Sequence, residues 1–281
     1  MKNIFILGAG TMGLDIAQAF ASSGYYVTVR DINDDIINAA SKRLHKGLSK
    51  RVERGKLEQD RMDELLLMIN FTTDMKQAAG ADLVIEAIVE NVEIKKSVFS
   101  ELDGICKEDA ILSTNTSSIS ITEIASATKR PERVIGMHFF NPATVMKLVE
   151  VIRGVHTSDE TYAAVCAAAA SIGKQAVEVK EYPGFVVNRI LIPMINEAVG
   201  LVAENIASVE DIDAAMKLGC NHPMGPLALG DLIGLDVVLA IMDTLKRETG
   251  DPKYRAHTLL RKMVRGGLLG KKTGRGFYTY K

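Results

Sequence analysis

Three glycines spaced G-x-G-x-x-G, at Gly8, Gly10 and Gly13, follow directly on the apolar run Ile4-Phe5-Ile6-Leu7. A continuous apolar run of that length is what a parallel strand buried on both faces requires. After such a strand each glycine has its own use: Gly8 for a tight turn, Gly10 for close approach of backbone to a pyrophosphate, and Gly13 for close contact of helix with strand. Thr11 and Met12 complete the loop, and Leu14 to Ser23 predicts a helix whose free N–H groups and positive dipole end face the phosphate position. Alone, the spacing fits any strand turning tightly into a helix. Context favours binding, because Val27-Thr28-Val29-Arg30-Asp31 reads as a second strand ending in an acid where adenosine ribose hydroxyls are met. The pattern implies a dinucleotide, with NAD preferred to NADP since Asp31 repels a 2′-phosphate. Arg30 beside it keeps NADP as the less favoured alternative.

Composition excludes more than it assigns. A chain of 281 residues allows one or two domains. Thirty-four basic against thirty-five acidic residues leave no global field to attract nucleic acid or a membrane surface. The N-terminus enters a strand at once without a basic, apolar leader, and no apolar run reaches the length of a membrane span, so a cytoplasmic protein is expected. Cys106, Cys166 and Cys220 are widely spaced, lack the spacing of a metal site, and read as buried free thiols.

Beyond Asp31 a helix is expected from Asp34 to Arg54, with an apolar stripe at Ile36, Ala40, Leu44, Leu48 and Val52. Its row Lys42, Lys46, Lys50 and Arg54 is either a solvated face or a phosphate-binding one. A second helix from Asp60 to Met68 makes a helical pair. Strands follow at Ile69 to Phe71 and Leu83 to Ile85, then a helix from Val92 to Leu102. Glu90 and Lys95 fall on the cofactor side of such a sheet, or else are a helix-start carboxylate and a surface lysine. The strand Ala110 to Leu112 runs into Ser113-Thr114-Asn115-Thr116-Ser117-Ser118. That polar run either caps a helix near Thr122 or offers hydroxyl and amide groups to a nicotinamide ribose and a substrate oxygen.

Of five histidines, only His138 ends a predicted core strand, Val134 to His138. A histidine there is by default a satisfied core residue. The alternating segment Lys147 to Ile152, however, places Glu150 among apolar residues, and a buried carboxylate needs a partner. His138 is the nearest candidate. A carboxylate on one ring nitrogen fixes the tautomer and leaves the other nitrogen to exchange a proton.

Tyr182-Pro183-Gly184 breaks the chain after a strand near Gln175 to Val179, which predicts domains at 1–183 and 184–281. The second domain reads as all-helical. Val187, Leu191, Met194, Ala198 and Leu201 make one buried stripe on a helix bent at Pro193. Further helices are expected at Val209 to Leu218, Gly225 to Arg247 and Ala256 to Val264, with Leu227 to Leu245 buried nearly all round. The surplus of apolar surface argues for a homodimer made through this domain.

The segments GAGTMG, NTSS, HFFNP with MKLVEV, YPGFVVNRIL at 182–191, HPMGPLALGD at 222–231 and KTGRGFY at 272–278 together resemble the short-chain L-3-hydroxyacyl-CoA dehydrogenases. The resemblance implies an α/β Rossmann-type, doubly wound N-terminal domain followed by a helical domain. It also implies NAD-linked interconversion of an L-3-hydroxyacyl-CoA and its 3-ketoacyl-CoA. On that resemblance His138 is the acid-base residue, Glu150 its partner, Ser117 a contact to both cofactor and substrate, and Asn188 a contact to the substrate carbonyl from across an interdomain cleft. Cofactor contacts carry over to the glycine loop, Asp31, Glu90, Lys95, Ser117, Asn141 and Lys272, and CoA contacts to Lys50 and Arg54. No metal is implied. The rival expectations are a dehydrogenase of a free hydroxy acid or sugar acid, and an NAD-binding protein without catalysis.

Overall fold

The computed structural model describes residues 1–280, and the chain divides into two compact units, Met1–Glu181 and the residues from Tyr182 onward. The first unit begins with β1 Asn3–Leu7, α1 Thr11–Ser22 and β2 Tyr26–Arg30, followed by α2 Asp34–Glu53, α3 Gln59–Leu67 and β3 Ile69–Thr72. It continues through β4 Leu83–Glu86, α4 Val92–Ile105, β5 Ile111–Thr114, α5 Ile121–Ala125 and β6 Val134–Phe139. It closes with β7 Leu148–Arg153, α6 Asp159–Ser171 and β8 Gln175–Lys180.

The eight strands form one sheet in the order β3-β2-β1-β4-β5-β6-β7-β8. Strands β1 to β6 pair in parallel, β7 runs antiparallel to β6, and β8 is parallel to β7. Parallel strands covered on both faces must be apolar throughout, and β4, β5 and β6 are buried at every residue. The strand order reverses between β1 and β4, so the crevice beyond their carboxyl ends is where a ligand of such a sheet sits.

Helix α2 starts under Asn33, whose side chain accepts from the Ile36 N–H at 2.9 Å. Asp34 and Asp35 in its first turn and Lys50 and Arg51 in its last suit the helix dipole. Its buried stripe is Ile37, Ala40, Leu44 and Leu48, and Ile36 is exposed. A strict four-residue repeat walks around a 3.6-residue helix, and starting from Ile37 keeps the stripe on one face. Helix α6 has no counterpart in the sequence expectations. Its run DETYAAVCAAAAS is alanine on nearly every face and shows no stripe, yet Ser158 caps it by accepting from the Thr161 N–H at 3.1 Å.

The second unit holds α7 Val187–Ala203, α8 Val209–Cys220, α9 Pro226–Ile233, α10 Leu235–Thr249 and α11 Thr258–Arg265. The single helix expected over 225–247 is two. Gly234 at φ 103° stands between α9 and α10, in backbone that L side chains rarely adopt, and a Cβ there would lie 2.9 Å from an Asp236 oxygen. Nor is the pair buried all round, since Leu232 and Val237 are exposed. Pro193 lies inside α7.

Two buried aspartates knit this unit. Asp213 accepts from Leu227 and Ala228 N–H at 2.8 and 2.9 Å, capping α9 from α8, and from the Tyr278 hydroxyl at 2.9 Å. Asp231 accepts from Phe277 and Tyr278 N–H and from the Tyr280 hydroxyl, at 2.9–3.0 Å, which pins the C-terminal segment. Beside these carboxylates burial pushes the Tyr280 hydroxyl up to about 12, and Tyr278 higher still.

The cysteines are free, but only Cys106 is buried, where desolvation raises its thiol to about 11. Cys166 is half-buried, and Cys220, ending α8, is exposed. Among the described residues no helix is long and apolar enough to cross a membrane.

At the amino end of β4, Asp82 ties the start of β1 to Lys107. Its Oδ2 accepts from Lys2 and Asn3 N–H at 2.5 and 3.0 Å, and Oδ1 from Lys107 Nζ at 2.5 Å. Burial acts to raise its pKa, but these donors outweigh burial and hold the carboxyl below the usual carboxylate range. A carboxyl depressed in the fold adds stability above its unfolded pKa of about 3.9, and that stability is lost as pH falls through the folded value. Asp82→Asn should therefore cost about 1 kcal/mol at pH 7, where part of the network is exposed. Melting curves of the two proteins should converge as pH falls below about 4. A gap unchanged from pH 7 to pH 3 would refute this account.

Candidate active site

The glycine loop has the geometry its spacing predicts. Gly8 takes φ 108°, and a Cβ there would lie 2.5 Å from the Ala87 carbonyl oxygen; one on Gly13 would lie 1.8 Å from the Gly8 oxygen. Above Gly10 the space is open. Helix α1 starts at Thr11 with no side-chain cap and no acid in its first turn, so its leading N–H groups point into that space. An open, uncapped helix start beside a bare glycine fits a pyrophosphate.

Asp31 stands at the carboxyl end of β2, half-buried. Its Oδ2 accepts from the Ala9 N–H and its Oδ1 from the Ile32 N–H, each at 2.7 Å. Arg30 turns away, with Nε donating to the Thr73 carbonyl at 3.2 Å. An arginine that the motif does not mark, Arg43 of α2, donates from Nη2 to the Ala9 carbonyl at 2.7 Å.

The carboxyl end of β4 carries a buried ionic network. Glu86 is fully buried; its Oε1 accepts from Lys95 Nζ at 2.6 Å and from the Ile88 N–H at 2.7 Å, and its Oε2 from the Thr114 hydroxyl at 2.7 Å. Lys95 is 1% exposed and also lies 3.4 Å from Glu90 Oε2, so it is not the surface lysine of the plainer expectation. The reason is Glu86, which β4 sets between β1 and β5 and which needs a counter-charge. Glu90 in turn gathers the polar loop after β5. Its Oε1 accepts from the Thr116 hydroxyl at 2.5 Å and the Ser117 N–H at 3.0 Å, with the Ser117 and Ser118 hydroxyls at 3.4 and 3.3 Å. Asn115 Oδ1 accepts from the Phe139 N–H at 2.8 Å and straps that loop to the end of β6.

There His138 Nδ1 lies 2.8 Å from Glu150 Oε2. The two residues are cross-strand partners in the antiparallel β6–β7 pair, which sets them side by side. His138 is 7% and Glu150 1% exposed. A carboxylate only accepts, so Nδ1 carries a hydrogen and, in the neutral ring, Nε2 holds the lone pair. The Phe140 ring packs on the imidazole, its centroid 4.5 Å away. Asn141 is exposed just beyond, and the Ala143 N–H donates to Asp15 Oδ2 of α1 at 3.1 Å. Burial raises the Asp15 carboxyl against that hydrogen bond and the nearby Arg43.

The remaining expected residues are at the end of α2 and in the second unit. Lys50 and Arg54, one turn apart at the end of α2, are exposed and make no ion pair among the described residues. In the second unit Asn188 is half-buried in the first turn of α7, and Lys272 Nζ donates to Asp236 Oδ2 at 2.6 Å.

The model of the 3-hydroxyacyl-CoA dehydrogenase NAD binding domain matches residues 3–182, and that of the 3-hydroxyacyl-CoA dehydrogenase C-terminal domain matches 184–280. The chain belongs to the 3-hydroxyacyl-CoA dehydrogenase family. It is 58% identical over 275 residues to a 3-hydroxybutyryl-CoA dehydrogenase of Clostridioides difficile, a match covering 98% of each chain. A crystal structure of (S)-3-hydroxybutyryl-CoA dehydrogenase PaaH1 from Ralstonia eutropha superposes with TM-score 0.95 at 49% identity, over 100% of this chain and 99% of that one. A crystal structure of M. tuberculosis FadB2 gives 0.98 at 43% identity, with the same coverage. As a 3-hydroxyacyl-CoA dehydrogenase the chain is an oxidoreductase acting on a CH–OH group, and its first unit is the nicotinamide cofactor domain.

Proposed function

We propose that this 3-hydroxyacyl-CoA dehydrogenase interconverts L-3-hydroxybutyryl-CoA and acetoacetyl-CoA with NAD, using His138 as general acid and base. The observation that carries the proposal is the 2.8 Å contact of His138 Nδ1 with the buried Glu150 carboxylate, at the carboxyl end of β6. The relatives' names support the four-carbon acyl chain. The chemistry supplied by NAD, when bound, would be acceptance or return of the C3 hydride. In oxidation His138 Nε2 accepts the C3 hydroxyl proton, and in reduction it gives one to the oxygen. Glu150 balances the positive charge the ring then carries and keeps Nε2 as the working nitrogen. Ser117 and Asn188 are assigned as donors to the C3 oxygen, where charge develops. The glycine loop, Asp31, Glu90, Lys95, Asn141 and Lys272 are assigned to the cofactor. Asp31 with Arg30 tied back supports NAD over NADP. The apolar surplus of the second unit supports a homodimer.

Lys50 and Arg54 are assigned to phosphates of CoA. Replacing both by alanine should raise KM for acetoacetyl-CoA about tenfold with kcat little changed, as loss of one or two exposed charge-assisted contacts would. An unchanged KM would remove them from the site. The whole assignment is tested by initial rates of NADH and NADPH oxidation with acetoacetyl-CoA, longer 3-ketoacyl esters and free acetoacetate. NADH with acetoacetyl-CoA should be the fastest pair, and turnover of free acetoacetate at an equal rate would overturn the CoA reading.

A further inference from the structure

We propose that Arg43 is the specificity partner of Asp31: an arginine already seated at the adenosine-ribose rim, barred from a 2′-phosphate by the Asp31 carboxylate and able to bind one when that carboxylate is gone. The inference rests on the glycine loop being the dinucleotide site. Two side chains grip the same peptide residue of that loop, Asp31 at the Ala9 N–H and Arg43 at the Ala9 carbonyl, both at 2.7 Å. Among the described residues no ion pair joins this carboxylate to this guanidinium, the Ala9 carbonyl is the one hydrogen-bond acceptor of the Arg43 side chain, and the carboxyl that feels its charge is Asp15. Arg43 therefore keeps donors for a further acceptor.

In a sheet of this kind the acid ending β2 meets the ribose 2′-hydroxyl, and a nearby arginine is what accommodates a 2′-phosphate. Arg30, the arginine next to Asp31 in sequence, is turned to the Thr73 carbonyl rather than to the glycine loop and is half-buried there. Arg43 is exposed and lies one residue off the phase of the Lys42, Lys46, Lys50 and Arg54 row, which turns it toward the loop. What keeps a 2′-phosphate out is thus the charge of Asp31 rather than a missing cation.

The test is equilibrium titration of NADH and NADPH fluorescence without substrate, so that binding is read apart from turnover. The proteins are wild type, Asp31→Ser, Asp31→Asn, and Asp31→Ser combined with Arg43→Ala or with Arg30→Ala. The Asn variant keeps the side-chain shape should serine disturb the loop. Because Arg43→Ala also removes the Ala9 contact, the quantity read is the ratio of the two dissociation constants, in which a general loss of affinity cancels. Wild type should favour NADH, and removal of the Asp31 charge should shift the ratio toward NADPH by about tenfold or more. Adding Arg43→Ala should abolish most of that shift, whereas adding Arg30→Ala should leave it. A shift that survives Arg43→Ala, or one lost with Arg30→Ala, overturns the proposal. Wild-type protein that binds neither nucleotide overturns the underlying site reading, and this proposal with it.

Discussion

His138→Ala should lower kcat for NADH-dependent reduction of acetoacetyl-CoA by about 10²–10⁴-fold, the usual contribution of a positioned acid-base group. NADH affinity, read by fluorescence titration, should stay within about twofold, because the imidazole is assigned to the substrate oxygen and not to cofactor phosphates. Glu150→Gln separates charge from shape. Its amide N–H₂ can turn to Nδ1 and force the lone pair there, so that Nε2 carries the hydrogen and cannot act as base. That variant should therefore lose much of its kcat for oxidation while folding normally. Near-wild-type turnover by His138→Ala would end the acid-base assignment, whatever the state of the nucleotide site.

The parts of this outcome legible in the sequence are those where one residue type is required by its own local geometry. Gly8 and Gly13 were readable because a Cβ at either would collide with backbone, which ties the motif to one strand-turn-helix shape. His138 and Glu150 were readable because a charge within an apolar alternation needs a partner, and the register of two adjoining strands supplies it. Helix α6 was not readable, since alanine gives no contrast between faces for a period to show. The break at Gly234 was hidden inside an apolar run, where helix period and composition continue across it; the tail residue Lys272, packed beside Gly234, is distant in sequence. Arg43 and Glu86 belong to the same class. One reaches the Ala9 carbonyl and the other Lys95 and Thr114 through contacts between elements, and no short spacing announces them.

Lys95→Met should destabilise the first unit by about 3–5 kcal/mol, a large part of the 5–15 kcal/mol typical of a whole protein, because it strands the Glu86 carboxylate in the core. The exposed ion pairs of the surface, such as Arg247 with Glu248, should each contribute less than about 1 kcal/mol. What sets the inner pair apart is desolvation. Glu86 is 0% and Lys95 1% exposed, and once the ammonium is gone only the Ile88 N–H and the Thr114 hydroxyl remain to answer a full negative charge. Glu86→Gln combined with Lys95→Met should recover most of the loss, since the amide oxygen can still accept from those two donors and no charge is left to solvate. Denaturant midpoints of the three proteins read this directly. A single variant less stable than wild type by under about 1 kcal/mol would show that water or rearrangement reaches Glu86 at little cost. The double variant also parts stability from cofactor binding: with the fold restored but Lys95 and its 3.4 Å tie to Glu90 absent, any deficit left in NADH affinity belongs to the cofactor role assigned to Lys95 or to the loop that Glu90 gathers around Ser117.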